Sequence, residues 1–142
     1  DGTWLVEAGS YVQVKLRVVV PDRRYYVAVV DPMPAGFEAV NETFLTTARE
    51  RLGDAKKDNY LTRGSYWGYW YWNPWDFEER RDDRVQLFAD TMWGGVYEYT
   101  YNVRATALGE FVVPPTRAEE MYEPETFGRS ASERVKILEK LP

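Results

Sequence analysis

The chain has 142 residues, the size of one domain, and a net charge of −5 with a pI near 4.9, so phosphate backbones are repelled and no nucleic-acid partner is expected. It has no cysteine and no histidine. That excludes disulfides and the common zinc-ligand sets, and it removes the usual base or nucleophile of acid–base and covalent catalysis.

The opening segment DGTWLVEAGS has neither the basic n-region nor the apolar h-region of a signal peptide, and reads as the start of a mature segment or of a domain cut from a longer chain. In residues 10–20, Val12, Val14, Leu16 and Val18 alternate with Gln13, Lys15 and Arg17, the period of a half-buried strand. Pro21 and Asp22 stop it. Residues 24–30 (RYYVAVV) predict a second strand, ended by the turn residues of DPMPAG.

A short helix is expected around Thr46–Leu52, stopped by Gly53 and Asp54, and then a polar loop to Arg63. The run YWGYWYWNPW follows at residues 66–75. Strands resume at 84–89, where Val85, Leu87 and Ala89 alternate with Arg84, Gln86 and Phe88, and at 96–105 after the turn MWGG. In that second strand Tyr97, Tyr99, Tyr101 and Val103 share one face, expected to be buried with its hydroxyls reaching the rim. ALGEFVVPP reads as a turn and a short strand, residues 116–124 as irregular, and 133–138 as a last strand with Val135 and Ile137 inward. Six or seven short strands with turns between them and little helix predict an antiparallel β-sandwich. It carries one long aromatic-rich excursion between strands.

Catalytic templates are missing. No serine lies in a G-x-S-x-G elbow, and neither a P-loop nor a G-x-G-x-x-G pattern occurs. The carboxylate clusters Glu78/Glu79/Asp82/Asp83 and Glu119/Glu120/Glu123/Glu125 read as solvated charge in a chain with 23 acidic residues. No cofactor, no metal and no enzymatic activity are expected. Asn41-Glu42-Thr43 matches a glycosylation sequon, a common tripeptide.

The aromatic run admits three readings. Its rings could close the core, form a carbohydrate platform, or meet another protein through Trp67, Tyr69, Trp70, Tyr71, Trp72 and Trp75. A packed run with few polar partners suits a sugar platform poorly.

Three segments carry a family resemblance: VAVVDPMPAGFEAVN at 27–41, RDDRVQLFAD at 81–90, and YEYTYNVRATALGEFVVPPTRAEEMYEPETFGRSASERV at 97–135. In this order they resemble the C-terminal domain of bacterial alpha-2-macroglobulins, large protease traps. Such a trap is cleaved in a bait region and captures the attacker through an internal thioester held in another domain. The resemblance implies that residues 1–142 form a single terminal macroglobulin-like domain, an immunoglobulin-like sandwich, non-catalytic and part of a much larger chain. It would pack on the thioester domain and neighbouring macroglobulin domains, reaching target proteases only through the full-length inhibitor.

The resemblance places the parent in the periplasm, lipid-anchored at the inner membrane, with no membrane contact by this domain itself. The M-Y pair of the A-E-x-M-Y motif falls on Met121 and Tyr122, which would shield the thioester from water without offering a strong nucleophile. The alternative for this pair is packing of a loop onto its own sandwich. The runner-up for the whole chain is a carbohydrate-binding β-sandwich module using the Trp/Tyr cluster.

Overall fold

Alternation of apolar and polar residues produces the longest strands where it is strongest. The computed structural model describes residues 2–40 and 74–142, and there eleven strands and no helix are found. They are β1 (Thr3–Glu7), β2 (Tyr11–Val20), β3 (Arg24–Pro32), β4 (Phe37–Ala39), β5 (Phe77–Arg80), β6 (Arg84–Met92), β7 (Gly95–Ala105), β8 (Gly109–Val113), β9 (Arg117–Glu120), β10 (Glu123–Arg129) and β11 (Glu133–Leu138). The expected helix at Thr46–Leu52 and the aromatic run up to Asn73 lie outside the described residues.

The strands form a five-stranded sheet in the order β10-β9-β3-β6-β5 and two three-stranded sheets, β2-β7-β4 and β1-β11-β8. The first two supply the two walls of one core. Val27, Val29, Val85, Leu87 and Ala89 meet Leu16, Tyr97, Tyr99, Tyr101 and Val103. The third sheet adds Val135 and Ile137 to the same cluster, with Phe111 and Val113 packed beside them. This is the all-β immunoglobulin-like sandwich, with more strands than the seven expected from sequence.

The extra strands have a physical cause. β4 and β5 have three and four residues, too short to show a period. β9 and β10 carry RAEE and EPETFGR, with no apolar alternation, so residues 116–124 read as irregular. In fact β9 pairs with β3 from Val27↔Glu120 to Val30↔Arg117. β1 pairs with β11 in parallel, from Thr3↔Arg134 to Glu7↔Leu138, a pairing that no local signal announces.

One side of the sandwich is open. A cavity of about 890 Å³ lies between β2 and the β9–β10 edge, lined by Val12, Val14, Val18, Ala118 and Phe127. At another point the packing is tight. A Cβ on Gly36 would sit 2.5 Å from Phe111 Cε2 and 2.7 Å from Ile137 Cδ1, so the glycine of DPMPAG is where the chain presses on the third sheet. The Gly36 carbonyl accepts the N–H groups of Thr106 (2.9 Å) and Ala107 (3.3 Å).

The tyrosine face of β7 is buried as expected, and each hydroxyl has a partner. Tyr97 donates to the Trp93 carbonyl at 2.6 Å. The Tyr99 oxygen accepts from Arg80 Nη2 at 3.1 Å and donates to Glu78 at 3.3 Å. Tyr101 donates to Asp31, and the Thr116 hydroxyl donates to the other Asp31 oxygen at 2.6 Å. Burial pushes all three phenols above the usual tyrosine range, and for Tyr101 the Asp31 carboxylate pushes further in the same direction.

Candidate functional site

Ladder registers place three turns at one end of the sandwich. Val20 pairs with Gly95, Arg24 with Met92, and Val27 with Glu120. The β2–β3 turn (Pro21–Arg23), the β6–β7 turn (Trp93, Gly94) and the β9–β10 turn (Met121, Tyr122) therefore emerge together.

Met121 and Tyr122 are 41% and 78% exposed at this end. Three more rings are exposed at this end, Tyr25, Tyr26 and Trp93. The Arg23 guanidinium lies 4.7 Å from the centre of the Trp93 ring and 5.6 Å from that of Tyr25. Arg24 approaches Glu120 at 4.0 Å, beside the turn. Large apolar side chains gathered on one exposed end are the composition of a contact surface, not of a solvated tip.

Tyr26 links this end to the turn. Its ring meets Tyr122 edge to face, 5.0 Å between centroids at 88°. Its carbonyl accepts the Met121 N–H at 2.8 Å. Its φ is +53°, in the left-handed region, which costs a non-glycine residue roughly 1–3 kcal/mol. An edge-to-face ring pair is worth about 0.5–1.5 kcal/mol. The ring pair offsets only about half of that strain, so the ladders on either side also hold the strained residue.

Of the aromatic-run residues singled out from sequence, Trp67, Tyr69, Trp70, Tyr71 and Trp72 lie outside the described residues. Trp75 is 5% exposed and belongs to the core cluster, so it is a packing residue and not part of a contact surface. The acidic clusters are partly paired: Glu79 with Arg81 at 2.9 Å, Asp83 with Arg84 at 3.4 Å, and Glu119 with Arg117 at 3.1 Å. Among the described residues no group of three or more Asp or Glu converges as a metal would require. Sequence reading singled out Met121 and Tyr122 but not Tyr26, Tyr25 or Trp93, which the structure places beside them. Tyr25 and Tyr26 were read as ordinary strand residues, and a left-handed backbone has no signature in a tyrosine.

The fold and its exposed aromatic end define an immunoglobulin-like β-sandwich module. The chain matches the family model described as "Bacterial Alpha-2-macroglobulin MG10 domain" over residues 2–125, and it belongs to that family. It is 34% identical over 136 residues to "Circularly permutated Ras protein 2" of Dictyostelium discoideum, and 31% identical over 132 residues to an alpha-2-macroglobulin homolog of Nostoc. These alignments cover 96% and 93% of this chain but 3% and 6% of those proteins, so the chain spans a small part of the relatives it matches.

Its fold is similar to that within Escherichia coli alpha-2-macroglobulin activated by porcine elastase, with a TM-score of 0.73 at 23% identity over 93% of this chain and 11% of that one. It is also similar to that within native E. coli alpha-2-macroglobulin spanning domain MG7 to the C-terminus. There the TM-score is 0.72 at 23% identity, over 93% of this chain and 20% of that one.

Proposed function

We propose that residues 1–142 are one terminal, non-catalytic domain of a bacterial alpha-2-macroglobulin-like protease inhibitor, whose turn end packs on the thioester domain until the bait region is cut. In this reading Met121 and Tyr122 cover the thioester. A soft thioether and a large ring exclude water while presenting no strong nucleophile. Neighbouring macroglobulin domains flank it, and target proteases meet it only as part of the parent, a periplasmic chain tethered at the inner membrane. The observation that carries the reading is the outward placement of Met121 and Tyr122 on an end already rich in exposed rings.

The test is the rate at which methylamine consumes the thioester of the full-length parent. Met121→Ala combined with Tyr122→Ala is expected to raise that rate about tenfold or more, which corresponds to ~1.4 kcal/mol of lost protection. An unchanged rate in the double variant removes the shielding role.

A further inference from the structure

Among the described residues Tyr26 is the one non-glycine residue with a positive φ, at +53°. A tyrosine gains nothing from that conformation by itself. Glycine or asparagine would adopt it with less strain. Nor does the core require the ring, which is half-exposed. Its two described contacts outside its own strand are with Met121 and Tyr122: the carbonyl accepts from Met121 N–H at 2.8 Å, and the ring meets Tyr122 edge to face at 5.0 Å.

The strands on either side show what the left-handed residue does. Val27 and Val29 face the core, and alternation would send Tyr25 inward as well, yet Tyr25 is exposed. Across the ladder the buried side passes from Val85, Leu87 and Ala89 to Met92 instead of Thr91. The phase therefore changes on both strands at the level of Tyr26, between the pairs Tyr25↔Thr91 and Val27↔Ala89. The swivel turns Tyr25 outward and aims the Tyr26 carbonyl and ring at the β9–β10 turn.

We propose that Tyr26 is the positioning residue of the Met121–Tyr122 tip: its left-handed backbone aims the side chain at the turn, and its ring holds the turn and the Tyr122 rotamer in place. The consequence for thioester protection rests on the shielding function proposed above. The positioning itself does not.

Two variants separate ring from backbone. Tyr26→Asn accepts the left-handed conformation and deletes the ring, while Tyr26→Phe keeps the ring. In this chain, amide hydrogen exchange at Met121 and Tyr122 is expected to be about fivefold faster or more in Tyr26→Asn, and unchanged in Tyr26→Phe, with the same melting temperature for both. Exchange in Tyr26→Asn equal to that of the parent sequence would overturn the proposal, since any left-handed residue would then serve.

In the full-length inhibitor, Tyr26→Asn is expected to raise methylamine reactivity toward the level of Tyr122→Ala, with Tyr26→Phe remaining at the starting rate. If Tyr122→Ala raises reactivity and Tyr26→Asn does not, the positioning role is lost and shielding stands. If Tyr122→Ala itself changes nothing, shielding is lost and the exchange result alone decides the role of Tyr26.

Discussion

The hydroxyl of Tyr101 donates to the carboxylate of Asp31 inside the sandwich, joining the middle strand of the β2-β7-β4 sheet to the middle strand of the five-stranded one. Asp31 is 6% exposed, and the Thr116 hydroxyl satisfies its second oxygen. The first residue of the D-P-x-P-A-G-x-E-x-x-N motif is therefore a buried clasp between layers. Tyr101→Phe removes one donor to a buried carboxylate and is expected to cost roughly 1.5–3 kcal/mol. Urea unfolding would show it as a lower midpoint with an unchanged slope.

The buried tyrosine row makes stability sensitive to alkali. Tyr97, Tyr99 and Tyr101 keep their protons in the folded chain at pH values where the unfolded chain has begun to lose them, because burial raises each phenol. The stabilisation is complete below about pH 10 and is lost as pH rises above it, by about 1.4 kcal/mol per pH unit for each tyrosine held neutral. Unfolding free energies measured from pH 8 to 12 should fall in this way, and Tyr101→Phe should flatten the fall by one tyrosine's share.

Gly36→Ala tests the tight approach to the third sheet. The new methyl would overlap the Phe111 ring and the Ile137 δ-methyl, both packed against the core, so neither can step aside freely. Overpacking of this kind costs about 1–3 kcal/mol. A thermal melt lowered by several degrees, with the fold retained by circular dichroism, is the expected result.

Two aromatic residues with opposite environments should separate cleanly. Trp75→Ala opens a cavity in the core and is expected to cost about 3–5 kcal/mol. Tyr122→Ala removes an exposed ring whose described ring contact is the edge-to-face pair with Tyr26, and should cost about 0.5–1.5 kcal/mol in this chain. Denaturant midpoints decide it. A large loss from Tyr122→Ala would mean that this ring serves stability.

The two walls of the core were legible in the sequence because alternation is strong where one face of a strand is buried. Val85/Leu87/Ala89, the Tyr97–Val103 row and Val135/Ile137 all lie where the period puts them. The polar strands β9 and β10 were not legible: β10 is the edge strand and is largely exposed, while β9, between it and β3, is only half-buried, so neither carries an apolar period. Sequence left Trp75 open between core and contact surface, because composition alone does not separate the last ring of an aromatic run from its neighbours, and the structure puts it in the core. Met121 and Tyr122 were singled out by resemblance, and Tyr26 beneath them could not be, because a left-handed backbone leaves no mark in the sequence of a tyrosine.

The parallel pairing of β1 with β11 has a mechanical consequence. Force drawn through Thr3 along β1 and resisted by the rest of the sandwich loads the pairs from Thr3↔Arg134 to Glu7↔Leu138 in shear together instead of opening them one by one. A module held this way in a longer chain transmits a tug from its amino-terminal side as a rigid link. A rearrangement elsewhere in such a chain would then move the turn end as one body, carrying Tyr26, Met121 and Tyr122 without first unravelling the sandwich that holds them.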